Sequence, residues 1–178
     1  MDAYLGTTGS AFITNATAGF EIAFRYAGIG AGDEVLIPAI TFAATMAYPL
    51  AVGAKVVFVD VDPQTLNMDP VDMERKVTER TKMVVPVHIG GYPVDMDPVM
   101  ECARRHNLVV LEDAAHAFGG TYKGRMMGTI TNMATWPSPA RHHSEGLPGL
   151  RCWRCGYTGF SMESRCMQRA SCPRWARP

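Results

Sequence analysis

Lysine is scarce in this chain of 178 residues: Lys55, Lys76, Lys82 and Lys123 are the whole set, and none follows position 123. Chemistry that needs a lysine amine beyond that point is excluded. Tryptophan is absent before Trp136, and Cys102 is the sole cysteine before Cys152, so no disulfide framework staples the first 130 residues. No run of about 18 apolar residues occurs, which excludes a helical membrane span. The opening MDAYLGTTGS has neither a basic start nor an apolar stretch. No secretory leader is expected, the compartment is expected to be cytoplasmic, and the cysteines are expected to be thiols or metal ligands rather than disulfides. Net charge is lacking too, at a formal +0, and neither nucleic acid nor a membrane surface is an expected partner.

That neutrality is a cancellation. Residues 1–130 carry four Lys and six Arg against fifteen Asp and Glu, a net of −5, whereas residues 131–178 carry seven Arg against Glu145 and Glu163, a net of +5. All three tryptophans and four of the five cysteines (Cys152, Cys155, Cys166, Cys172) lie in the last 48 residues. That segment has no sustained period of 3.6 or 2 and is expected to be irregular. Arginine without lysine, amid scattered Trp, Cys and Pro, is what a GC-rich gene yields when read out of register. A frameshift near codons 131–136 is the expected cause, with residues 1–135 a partial domain and 136–178 an unmatched tail.

Before the tail, strands and helices alternate. Asn15 and Thr17 are N-cap residues for a helix over about 18–27, ended by Gly28; a strand over 34–37 and a helix over 42–51 follow. Next come a strand over 55–59, a helix over 70–77 capped by Asp69, and a strand over 82–87. A helix over 98–106, a strand over 108–112 and a hairpin around Lys123-Gly124 complete the series. This alternation predicts an α/β fold, a doubly wound and mostly parallel sheet covered on both faces.

Two motifs are set aside. Gly28-Ile29-Gly30-Ala31-Gly32 brings its third glycine too early for a dinucleotide loop and follows a helix, so it reads as a helix C-cap and turn. Cys152, Cys155, Cys166 and Cys172 have the count for a thiolate zinc site but an ill-matched second spacing. No metal site is expected.

The chemistry concentrates in LVVLEDAAHA, residues 108–117. Four apolar residues make a buried strand, and Asp113 stands at its carboxyl end, where ligands gather in open α/β sheets. A buried carboxylate is costly unless a cation faces it. The protonated pyridine nitrogen of pyridoxal phosphate is such a cation; a strand-end aspartate capping the next turn is the alternative.

With DEVLIPAITFAAT (33–45), KVVFVDVD (55–62), TKMVVPVHIGG (81–91) and NATA (15–18), LVVLEDAAHA resembles the DegT-type sugar aminotransferases, a branch of the fold type I pyridoxal-phosphate enzymes. The likeness is nearest to members that aminate a 4-keto sugar nucleotide, and it runs over about residues 3–135. It implies pyridoxal 5′-phosphate as cofactor, a sugar nucleotide and an amino donor such as glutamate as partners, and a homodimer. It also implies roles: Asp113 for the pyridine nitrogen, Phe42 for stacking on the ring, His116 for the phenolic oxygen, and Thr17 with Ala18 for the phosphate. Relatives have Asn-Gly-Thr-Ala where this chain has Ala16. Each residue has a plainer alternative: a helix cap for NATA, a core phenylalanine for Phe42, a structural histidine for His116. His88 is given no role, and Glu112 and Asp60 are taken as strand-end or turn carboxylates.

The resemblance then stops. Where the family has Ser-Phe-His-Pro and the Schiff-base lysine, this chain reads TNMATWPSPARHHSEGLPGLRCWRCG from Thr131. No catalytic residue is therefore assigned. The family's smaller C-terminal domain and its N-terminal helical segment are also missing, so a fragment is expected, with weak or no cofactor binding and little activity. A non-catalytic binding fragment, or a tail that binds metal or nucleic acid, are the other readings.

Overall fold

A computed structural model describes residues 6–131 and 133–136, together with the backbone of 158–162. In chain order the elements are β1 (Ser10–Ile13), α1 (Ala16–Tyr26), β2 (Glu34–Pro38), α2 (Ala44–Ala51), β3 (Lys55–Val59), α3 (Pro70–Lys76) and β4 (Thr81–Val84). A short 3-10 turn (Ile89–Gly91), α4 (Met96–Arg105), β5 (Val109–Asp113), the hairpin strands β6 (Thr121–Tyr122) and β7 (Arg125–Met126), β8 (Met133–Thr135) and β9 (Thr158–Met162) follow.

Seven strands form one sheet in the order β1-β9-β8-β5-β4-β2-β3. The five from β8 to β3 are parallel, and β9 runs antiparallel between β1 and β8. The chain is thus α/β with a mostly parallel sheet, as its sequence predicts. Successive apolar residues on the central strands point to opposite faces, which is why these strands read as unbroken apolar runs. Ile37, Val85 and Leu111 pack with Phe20 and Phe24 of α1 and Ala44 of α2. Leu36, Val84 and Val110 pack on the other side with Met73 of α3 and Met96 and Val99 of α4.

The element boundaries show where local rules yield. α1 begins at Ala16, two residues earlier than the cap pattern suggests: Asn15 alone caps it, its side chain accepting the Ala18 N–H at 2.9 Å, and Thr17 lies inside the first turn. α4 begins at Met96 because Pro98 fits within a first turn, where its missing N–H has no partner to lose. β4 stops at Val84, although the carbonyl of Pro86 still accepts the Asp113 N–H at 2.9 Å. Gly28 has φ +68°, a left-handed conformation suited to a helix end, which confirms the C-cap reading of the glycine-rich run.

The tail differs from expectation at one place. Thr158–Met162, in the segment expected to be irregular, forms β9. Its position has a physical reason: β1 and β8 are not neighbours, and a strand between them pairs the backbone groups of both. The four tail cysteines and the zinc reading lie outside the described residues.

Candidate functional site at the carboxyl end of β5

Asp113 is the last residue of β5 and is only 3% exposed. It stands in register with Thr135, the last residue of β8, so both side chains face the α1/α2 side of the sheet. α1 comes close there: a Cβ on Gly19 would lie 2.8 Å from Ile13 Cδ1 and 3.0 Å from Thr135 Cγ2, so only glycine permits this approach without a shift. From α2, the buried side chain of Thr45 faces Asp113 and helps to lower its carboxyl against the effect of burial. α1 and α2 are themselves held together by Phe24 and Tyr48, stacked at 5.9 Å, and by Arg25, 5.4 Å above the Tyr48 ring. The starts of both helices and the end of β5 thus meet on one face.

One Asp113 oxygen, Oδ1, accepts the Ala115 N–H at 3.0 Å, so the turn-capping role foreseen as an alternative is realised. The other is not committed to any salt bridge among the described residues. Burial pushes the carboxyl up to about 6, against the opposing influence of the Ala115 N–H, His88 and Thr45. The Thr135 hydroxyl is also buried, and it has no hydrogen-bond partner among the described residues. A buried acid raised in this way and an orphaned hydroxyl beside it are what a polar, cationic ligand would satisfy.

The other expected residues occupy the same end of the sheet. Phe42 lies just before α2 and is 72% exposed, which rules out the core-phenylalanine alternative. His116, in the loop after β5, is exposed, and its Nδ1 accepts the Gly90 N–H at 3.4 Å. Thr17 is exposed at the start of α1, where unpaired amides favour an anion. Ala18 differs from expectation, because its N–H is already given to Asn15.

Sequence reasoning passed over the partner site on the opposite face. Glu112 is fully buried and accepts from His88 Nε2 at 2.9 Å, from the Gly128 N–H, and from the Ile130 N–H at 3.1 Å. His88 Nδ1 accepts the Val94 N–H at 3.0 Å, so the ring proton sits on Nε2 and points at Glu112. The available signal was that His88 follows β4 and Glu112 comes just before the last residue of the neighbouring β5.

No lysine comes to the site. Lys55 pairs with Glu34 and Lys82 with Asp33, both at the amino ends of the strands. Lys76 pairs with Asp72 at 2.7 Å, and Lys123 pairs with Asp97. Among the described residues no group of three metal-ligating side chains converges, and no helix is long and apolar enough to cross a membrane.

Comparison with known proteins places this geometry. The family model for DegT/DnrJ/EryC1/StrS aminotransferases matches residues 1–137. A GDP-perosamine synthase of Caulobacter vibrioides is 44% identical over 133 residues, which cover 75% of this chain and 36% of that protein. DesV of S. venezuelae superposes with a TM-score of 0.78 at 33% identity, covering 91% of this chain and 42% of the other. A sugar aminotransferase of Streptococcus pneumoniae, Spr1654 in its PLP form, gives 0.77 at 26% identity, covering 92% and 43%. The chain spans about a third of the length of the curated relatives it matches. With the parallel sheet, the buried acid at the end of β5 and a match over three quarters of its residues, the chain belongs to the DegT/DnrJ/EryC1/StrS aminotransferase family.

Proposed function

We propose that residues 6–136 form the cofactor-receiving part of a pyridoxal-phosphate-dependent sugar-nucleotide aminotransferase, and that this chain receives the cofactor reversibly without carrying out transamination. The observation that carries this reading is the pairing of a buried, uncompensated Asp113 with four lysines all engaged elsewhere. The orphaned Thr135 hydroxyl beside Asp113 fits a ligand with polar edges. When bound, pyridoxal phosphate supplies the electron sink for amino-group transfer.

Each residue then has a task. Asp113 opposes the charge of a protonated pyridine nitrogen and keeps its proton in place. Phe42 offers an exposed ring to cover one face of the cofactor. Thr17 contributes its hydroxyl, and the free amides of the first turn of α1 contribute donors, to a phosphate. His116 serves the phenolic edge. No residue supplies the amine that would hold the cofactor covalently or move the proton in the substrate. The parent reaction, amination of a keto sugar nucleotide by glutamate in a cytoplasmic homodimer, is the family activity from which this chain derives.

The test is a titration with pyridoxal phosphate followed by dialysis. Binding that dialysis removes, that weakens in Asp113→Ala, and that supports no transamination of a 4-keto sugar nucleotide agrees with the proposal. Turnover by the purified chain overturns it.

A further inference from the structure

The loop that follows β4 lies against the segment that carries Asp113 and His116. The His88 N–H donates to the Asp113 carbonyl at 3.1 Å, and the Gly90 N–H donates to His116 Nδ1 at 3.4 Å. A Cβ on Gly91 would lie 2.9 Å from the His116 carbonyl oxygen, so the turn Ile89–Gly91 rests directly on the backbone of His116. Gly90 and Gly91 have φ of +59° and +81°, a conformation that glycine adopts readily but does not hold by itself. The turn needs a restraint from outside.

Asn67, in the connection between β3 and α3, supplies it. The residue is only 2% exposed. Its Nδ2 donates to the Tyr92 carbonyl at 3.0 Å, and its Oδ1 accepts the Ile89 N–H at 3.1 Å, a hydrogen shared with the Val87 carbonyl at 3.0 Å. These partners fix which way the amide faces, since an N–H needs an acceptor and a carbonyl needs a donor. One side chain thus grips both ends of the turn. The connection is shaped to deliver it: Asp62 Oδ1 accepts the Gln64 and Thr65 N–H groups, and Leu66 takes φ +60°, uncommon for a residue with a side chain.

We infer that Asn67 is a positioning residue: by clasping Ile89 and Tyr92 it holds the glycine turn in the shape that gives the Gly90 N–H to His116 and seats Gly91 on the His116 carbonyl. The consequence for cofactor binding rests on the function proposed above, whereas the clasp and its effect on His116 do not. The His88 ring does not duplicate it. Its Nδ1 accepts the Val94 N–H and its Nε2 serves Glu112, which ties the far end of the loop to β5.

The experiment is an NMR titration of the full chain that follows the Gly90 amide and the His116 ring together, in the native protein, Asn67→Ala and Asn67→Asp. Protonation of Nδ1 removes the acceptor of the Gly90 N–H, so the native amide resonance should follow the ring through its titration. In Asn67→Ala that response should be largely lost, and the Ile89 amide should exchange with solvent about ten-fold faster, while Gly128 and Ile130 keep their native rates. Asn67→Asp, when ionised, keeps the acceptor for Ile89 but loses the donor to Tyr92, and should fall between. If Asn67→Ala does not fold, Asn67→Asp decides. A native Gly90 amide that ignores the ring, or one that follows it undiminished in the folded variants, overturns the inference. Equal acceleration at Gly128 and Ile130 overturns it too, since it would mark a general loosening. Affinity for pyridoxal phosphate should fall several-fold in Asn67→Ala. A lost Gly90 response with unchanged affinity supports the clasp and instead contradicts the cofactor role of His116.

Discussion

Glu112 and Asp113 are consecutive on β5, equally hidden from solvent, and opposite in their state of satisfaction. Glu112 turns to the α3/α4 face and is surrounded by donors from His88, Gly128 and Ile130. Asp113 turns to the α1/α2 face, where burial outweighs its hydrogen bonds. One carboxylate completes the structure, and the other is the one that the proposed function assigns to a ligand.

Removing the Asp113 charge should therefore stabilise the ligand-free fold. A carboxyl raised from its ordinary value to about 6 binds its proton more tightly when folded. Its contribution is fully present below the unfolded pKa and is lost as pH rises through 6, at a cost of about 3 kcal/mol. Asp113→Asn should match the native chain near pH 4 and exceed it by about 2–3 kcal/mol at pH 8, as measured by urea denaturation at both pH values. Equal stability at pH 8 would contradict the burial argument.

Glu112 should behave in the reverse way. Glu112→Ala leaves two buried amides and the His88 Nε2–H without an acceptor, a loss of about 3–5 kcal/mol. Hydrogen exchange should accelerate at Gly128 and Ile130 before it does so in α1. Uniform acceleration through both faces would show that the network has no local role.

At the amino end of the sheet, Glu34 accepts from Thr78, Lys55 and Arg80, which hold it down to about 2. A lowered carboxyl contributes stability above its unfolded pKa and loses it as pH falls towards 2. Thermal melts of Glu34→Gln should consequently lose less stability than the native chain between pH 5 and pH 2. A parallel pH dependence in the two proteins would remove Glu34 from the account.

Gly19 tests the contact that brings α1 to the site. Gly19→Val should destabilise by about 1–3 kcal/mol, since its side chain meets Ile13 and Thr135. It should also reduce pyridoxal-phosphate binding, because the start of α1 would be displaced from Asp113. Native affinity in a destabilised variant would separate that helix from the site.

What the sequence revealed follows from the range of the interactions. β2, β3 and β5 are dictated by their own apolar runs and turn residues, and their observed ends fall within about one residue of expectation. Ser10–Ile13 and Met133–Thr135 are too short to show a period, and they become strands through neighbours distant in the chain. The place of Asp113 at the end of a buried strand was legible from the apolar run that precedes it. The His88–Glu112 pair was not, since it depends on register between segments that local patterns do not relate. Trp136 illustrates the same limit: it is only 1% exposed, and its Nε1–H donates to the Met127 carbonyl at 3.2 Å.

The central claim is that no lysine of this chain reaches the cofactor, and its most direct test is reduction with borohydride in the presence of pyridoxal phosphate, followed by peptide mass mapping. The account predicts no stoichiometric adduct at a single lysine, only slight and dispersed labelling of Lys55, Lys76, Lys82 and Lys123. One full equivalent on any one of the four, abolished by Asp113→Ala, would contradict it.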